Sequence, residues 1–148
     1  MIESSTLCDI LQKCTICRIG YYDNNEVYIV PLNFGYLQKG EHVTLFFHGA
    51  KKGLRYTLAQ THPSVGFELD TDYQLIGGER AIDYTATYKS LVGTGTLHLI
   101  EDPTAKQKAM QAIMAHYTGK SDWPIEERVL RITAIYQLDI TKISYRSH

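Results

Sequence analysis

The chain has little of what would announce a function outright. Only three of its 148 residues are cysteine, namely Cys8, Cys14 and Cys17. An odd number bunched near one end does not make a disulfide framework, so a reducing, cytoplasmic setting is expected. No apolar run approaches the roughly 20 residues that cross a bilayer, and no membrane partner is expected. The first residues carry Glu3 and Asp9 and no basic stretch, which argues against a secretory signal. Lysine and arginine number 15 against 16 acidic residues, for a formal net charge of -1. The basic excess of a nucleic-acid coat is therefore missing, and no nucleic-acid partner is expected. Neither GxGxxG nor GxxxxGK[ST] occurs, so the usual nucleotide cradles are excluded. No repeat or linker-like tract interrupts the chain, and residues 1–148 read as a single domain.

What is present is alternation. Tyrosine is abundant, with 11 residues against 4 Phe and 1 Trp, and it suits half-buried strands. The first strand is expected over 15–22, followed by the hairpin turn Asp23-Asn24-Asn25. Residues 27–37 alternate as one long strand, in which Pro31 implies an edge or a bulge. A third strand covers 42–48. A helix over 51–61 is stopped by His62-Pro63. A short strand over 64–70, a polar loop over 71–80 and a long strand region over 83–100 follow, with Gly93 and Gly95 marking a bend. Asp102 and Pro103 start a helix that Gly119 closes. The last strand is expected over 129–140. This order of mostly antiparallel hairpins with two interspersed helices indicates a mainly β fold, a closed or partly open barrel.

Two stretches carry candidate chemistry. In Phe46-Phe47-His48-Gly49-Ala50-Lys51-Lys52-Gly53-Leu54-Arg55 a strand ends and a helix begins with two lysines. Lysines in a first turn oppose the helix dipole, a placement that makes sense if a phosphate sits between the amides and the ammonium groups. Arg55 falls on the same side as Lys51 and Lys52 by helical spacing. The plainer reading is a solvated basic helix end. In Val30-Pro31-Leu32-Asn33-Phe34, Asn33 shares a face with Pro31 and Gly35, where a flat ligand could reach the backbone. The plainer reading is an edge-strand Asn bonded to a neighbouring loop. Cys14-Thr15-Ile16-Cys17 has no second C-x-x-C and no H-x₃-H to complete a metal site, and His42, His62, His98 and His116 have no ligand spacing. No metal is expected. If Thr15 begins the strand, the two thiols point to opposite faces.

Together these pieces resemble a known family. Val30-Pro31-Leu32-Asn33-Phe34 followed by Phe47-His48-Gly49-Ala50-Lys51-Lys52-Gly53, with the later Ser90-Leu91-Val92-Gly93-Thr94-Gly95, is similar to the pyridoxamine 5'-phosphate oxidase-like FMN-binding split barrels. More closely, they resemble the nitroimidazole-resistance branch of that family. The resemblance implies a six-stranded antiparallel, Greek-key-type split β-barrel with two to three helices. It also implies a homodimer that holds FMN at the subunit interface. Lys51 and Lys52, with Gly49 and Ala50, would meet the phosphate. Pro31, Leu32 and Asn33 would meet the flavin ring, and Ser90 would line the same site. His48 would stand beside the flavin as the catalytic candidate, donating a hydrogen bond or relaying a proton. The implied activity is flavin-dependent oxidation or reduction of a small-molecule substrate, nitroimidazole-type compounds included. Two alternatives stay open: a flavin carrier or sensor without turnover, and a barrel for haem or deazaflavin. The Arg- and His-bearing end of pyridoxamine phosphate oxidases has no counterpart in Tyr145-Arg146-Ser147-His148, so that reaction is not expected.

Overall fold

Apolar residues at every second position send most of this chain into strands, because each such run can bury one face. In the computed structural model, which describes residues 2–148, seven strands form one antiparallel sheet. They are β1 (Cys17–Asp23), β2 (Glu26–Leu32), β3 (Gly35–Lys39), β4 (His42–Ala50), β5 (Ser64–Ile76), β6 (Thr85–Leu99) and β7 (Thr133–Ser147), in the order β2-β1-β5-β6-β7-β4-β3. The two edge strands, β2 and β3, are consecutive in the chain and joined through Asn33 and Phe34. The sheet thus curls until its edges meet at that joint, and the barrel is split there.

Four α-helices accompany the sheet: α1 (Ser4–Lys13), α2 (Leu54–Thr61), α3 (Pro103–Thr118) and α4 (Glu127–Ile132). The inner core takes Ile19, Phe47, Phe67, Leu91 and Leu138 from the strands and Leu7, Ile10 and Leu11 from α1. A second cluster lies outside the barrel, where Ala109 and Ile113 of α3 and Leu130 of α4 cover Phe46 and Ile135.

Several expectations hold. Asn24 and Asn25 take positive φ, 49° and 65°, as a two-residue hairpin turn between twisted strands requires. Pro31 sits on the edge strand β2, and a register shift falls between Thr94 and Gly95. The Asp102 side chain accepts from Ala105 N at 2.9 Å, and Gly119 closes α3 at φ 76°.

Other expectations are corrected. The mainly β split barrel has seven strands, because the run 27–37 is two strands broken at Asn33-Phe34. Gly35 packs so tightly on α3 that a Cβ there would stand 2.4 Å from Ile113 N, and this approach bends the chain out of one strand into the next. Helix α1 adds an element before the first strand that the sequence pattern does not announce. Helix α2 begins at Leu54 rather than 51, after Gly53 at φ 94°. The supposed loop 71–80 is largely strand, since β5 runs on to Ile76 past a bulge. The final strand starts only after α4, and Leu130 reaches the core from that helix. Both Cys14 and Cys17 are buried in the inner core, because the strand begins at Cys17 and not at Thr15. All three cysteines are free.

Candidate functional site

β3, which follows one of the two sequence stretches singled out above, pairs with β4, which carries the start of the other. Pairing between β3 and β4 ends at Gly35 opposite Phe46. Two residues further along each strand stand Asn33 and His48, both exposed. Pro31 and Leu32 precede Asn33 on β2, and Gly49 and Ala50 follow His48 at the end of β4. The joint is held from behind by α3. The Phe34 amide donates to Tyr117 Oη at 2.9 Å, and that hydroxyl donates to the Thr15 carbonyl at 2.7 Å. The His116 ring packs against Phe34 with centroids 4.4 Å apart, while its Nε2 lies 2.6 Å from the Cys14 carbonyl.

Beyond β4 the chain passes through exposed Lys51 and Lys52 to Gly53, which offers no side-chain cap to α2. The first amides of α2 therefore keep free donors at the positive end of the helix. The lysines lie just before the helix and not in its first turn, which still leaves them beside its positive end. Among the described residues neither forms an ion pair.

Arg55 does not join them as helical spacing suggested. Its Nη2 turns back and donates to the His48 carbonyl at 2.7 Å, and its guanidinium carbon lies 5.7 Å from the centre of the Tyr136 ring. The guanidinium occupies the space over Gly49, where a Cβ would stand 1.7 Å from Nη2. Glycine at 49 is thus explained by Arg55. Partial burial, then the Arg55 charge, hold the His48 pKa below its ordinary 6.5. The imidazole is accordingly neutral at neutral pH, able to accept a proton on one nitrogen while donating from the other.

A third cation lies behind this turn. Lys106 of α3 is buried and donates Nζ to the Leu130 carbonyl. Burial first, and Lys51 second, lower its pKa. Sequence reasoning passed over Lys106, although its spacing to Ala109 and Ile113 puts it on the buried stripe of α3.

Ser90 is buried on β6, opposite Asp70 on one side and Arg146 on the other. Within one chain it stands apart from His48. His48 faces Ile135 on β7, whereas Ser90 faces Arg146, eleven residues on, about 35 Å of extended chain. Ser90 instead shares a sheet face with a charged group that sequence reasoning did not find. Arg18 Nη1 donates to Glu68 Oε1 at 2.9 Å and to Asp70 Oδ2 at 3.0 Å. Burial and the neighbouring Asp70 push the Glu68 carboxyl up to about 7, against the pull of Arg18.

Other candidates have structural roles. Burial raises both thiols of the C-x-x-C, that of Cys14 to about 12, so neither is a ready thiolate. Among the described residues no group of three or more His, Cys, Asp or Glu side chains could hold a metal, and no helix is long and apolar enough to cross a membrane.

A mainly antiparallel barrel, split where a Pro-Leu-Asn strand meets a His-Gly-Ala turn, defines a class of its own. The family described as pyridoxamine 5'-phosphate oxidase matches residues 3–147, and the chain belongs to it. Solved structures repeat the fold. A candidate 5-nitroimidazole antibiotic resistance protein from Bacteroides thetaiotaomicron is 23% identical, covers 98% of this chain and 84% of its own, and superposes with a TM-score of 0.83. An FAD- and haem-binding protein from Mycobacterium smegmatis is 15% identical over 97% of this chain and 70% of its own, with a TM-score of 0.82. A flavocytochrome from Azotobacter vinelandii is 17% identical over 97% of this chain and 66% of its own, with a TM-score of 0.78. No curated protein matches the sequence.

Proposed function

We propose that this protein is a flavin-dependent oxidoreductase that holds FMN at the split of the barrel and works as a homodimer on small molecules, nitroimidazole-type nitroaromatics among them. The observation that carries the reading is the end of β4, where exposed His48 is followed by an uncapped helix start and two lysines without an ion pair among the described residues, next to the strand that Asn33 leads into. The donor set suits the ligand: free amides and ammonium groups for a phosphate, and a flat strand edge with one amide side chain for a ring system.

Lys51, Lys52 and the first amides of α2 would hold the phosphate. Pro31, Leu32 and Asn33 would meet the ring, with Gly49 and Ala50 lining the approach. FMN, when bound, supplies the electron-carrying chemistry, and the chain supplies binding, orientation and a proton. His48, neutral and accessible, would orient the substrate and give or take that proton at its imidazole. Ser90, remote from His48 within the protomer, would enter the site from the second copy. The three free thiols suit a reducing compartment such as the cytoplasm.

The test is the visible absorption spectrum of purified protein after loading with FMN and removal of the excess. Retained flavin bands that bleach on anaerobic reduction and return on adding a nitroimidazole support the reading. A colourless protein that does not retain FMN overturns it, and a haem band in its place would move the barrel to a different cofactor.

A further inference from the structure

One covered charge in the molecule has no partner of opposite sign. Lys106, the fourth residue of α3, is only 5% exposed, yet among the described residues no carboxylate lies within ion-pair distance of its ammonium. The acids around it are otherwise engaged. Glu126 pairs with Arg128 at 2.9 Å, Glu127 pairs with Arg131 at 3.7 Å, and Asp102 caps α3 through the Ala105 amide. Lysine is almost never covered this far unless it is paired. Its bond goes to the Leu130 carbonyl, which leaves two of three ammonium donors without a protein partner. That carbonyl does not depend on it, because the Thr133 amide at the end of α4 donates to the same oxygen. A cation withdrawn from water without a counter-ion costs stability, and a methionine of similar shape spares that cost. The fold alone therefore gives no reason for lysine at 106.

The register places this charge behind the lysine turn. Leu130 lies on α4, and three residues on Thr133 opens β7 opposite Ala50. Ala50 is the last residue of β4, and the exposed Lys51 and Lys52 follow it. Lys106 thus reaches the junction through Leu130 from one side, while the two lysines leave it on the other. Lys51 is near enough for its charge to help lower the Lys106 pKa, and Glu101, felt more weakly, does not offset it. Three ammonium groups and the uncapped start of α2 gather around the end of β4 with no ion pair among them. Like charges so placed repel in the empty protein and favour a bound anion.

We propose that Lys106 sets which flavin the site accepts, as a covered third cation whose counter-ion is the phosphate brought to Lys51 and Lys52. It is a positioning residue, acting on the phosphate through its field across the turn and not by contact. This rests on the flavin reading above and adds to it a preference for the phosphorylated flavin over riboflavin. Exposed ammonium groups such as those of Lys51 and Lys52 are weakened by water and salt. A covered ammonium keeps its field, and its side chain is already ordered before the ligand arrives. The two surface lysines capture the anion, and Lys106 supplies the charge that solvent does not screen.

The experiment is a pair of fluorescence titrations, with FMN and with riboflavin, on the wild type, Lys106→Met and Lys106→Gln, with a thermal melt of each flavin-free protein. Methionine keeps the bulk, and glutamine keeps a donor for the Leu130 carbonyl without the charge. The expected result is a wild type that prefers FMN, about tenfold weaker FMN binding in both variants, and riboflavin binding as in the wild type. Lys106→Met melts at or above the wild type, as the removal of an unpaired covered charge requires. Equal losses for FMN and riboflavin would make Lys106 a prop of the fold and overturn the proposal. Unchanged FMN affinity in Lys106→Met, FMN affinity kept by Lys106→Gln, or a wild type without preference for FMN overturns it too. Should Lys106→Met fail to fold, Lys106→Gln carries the test. A wild type that binds neither flavin defeats the flavin reading by itself, and the same proteins are then titrated calorimetrically with inorganic pyrophosphate. About tenfold weaker pyrophosphate binding in both variants sustains Lys106 as part of an anion site, whereas equal affinity, or no binding by the wild type, overturns it.

Discussion

Tyr117→Phe removes one oxygen and tests how the split of the barrel is held. The hydroxyl accepts from the Phe34 amide at 2.9 Å and donates to the Thr15 carbonyl at 2.7 Å, so α3, the β2–β3 joint and the start of β1 meet on a single atom. Tyr117 is 40% exposed, and a phenyl ring fits its place without repacking. Phe34 is fully buried, so its amide finds no water once the hydroxyl is gone. An orphaned buried donor costs about 1–3 kcal/mol, whereas the exposed Thr15 carbonyl recovers a water and costs little. The sum is about 2 kcal/mol, which for a domain of this size lowers Tm by roughly 4–8 °C. Amide exchange at Phe34 gives the local readout: its protection falls by more than tenfold, since about 1.4 kcal/mol is a factor of ten. Unchanged protection at Phe34, with Tm within 1 °C of the wild type, would falsify the view that Tyr117 sets this joint.

Three further outcomes are expected. Gly49→Ala displaces the Arg55 guanidinium and costs about 1.5–3 kcal/mol for the lost charged hydrogen bond. In an Arg55→Met background the same alanine is close to neutral, and a double-mutant cycle by denaturant unfolding that shows simple additivity would disprove the coupling. Glu68 has a folded pKa of about 7, raised from 4.5, so its stabilising contribution is complete below 4.5 and is lost as pH rises through 7. The stability of Glu68→Gln relative to the wild type therefore increases between those limits, and a difference that stays flat with pH in paired melts refutes the assignment. Replacing both Lys51 and Lys52 with alanine leaves Tm unchanged, because both are exposed, and weakens FMN binding about tenfold or more in a fluorescence titration. Equal affinity would remove the lysines from the proposed phosphate site.

What was legible in the sequence was local. Alternation found the strands, Asn24-Asn25 the first hairpin turn, and Asp102-Pro103 with Gly119 both ends of α3, because each rule concerns neighbours in the chain. The errors arose where a tertiary contact overrode the local pattern. Residues 27–37 alternate without interruption, yet the chain breaks at Asn33-Phe34 because α3 presses on Gly35 and Tyr117 captures the Phe34 amide. Helix α1 lacks a side-chain cap, and it is held by the burial of Leu7, Ile10 and Leu11 against the barrel. The stretch beyond Asp72 reads as loop because its sequence is polar and glycine-rich, whereas in the fold β5 runs on to Ile76 there, paired with β6.

The candidate site shows the same division among three basic residues. Spacing put Lys51, Lys52 and Arg55 on one side of a helix as a single cluster. The glycine at 53 delays the helix by three residues, which leaves the two lysines in the preceding turn and moves Arg55 into the first helical turn. From there its guanidinium reaches the His48 carbonyl through the gap that Gly49 leaves open. The three charges consequently have different work. Lys51 and Lys52 are free to meet an anion, while Arg55 fixes the backbone of the proposed catalytic histidine and helps keep its imidazole neutral. The Phe-His-Gly-Ala pattern marks the place of this arrangement. Its working depends on Gly49 having no side chain, a requirement that becomes visible only when the residue seven positions on from His48 folds back over it.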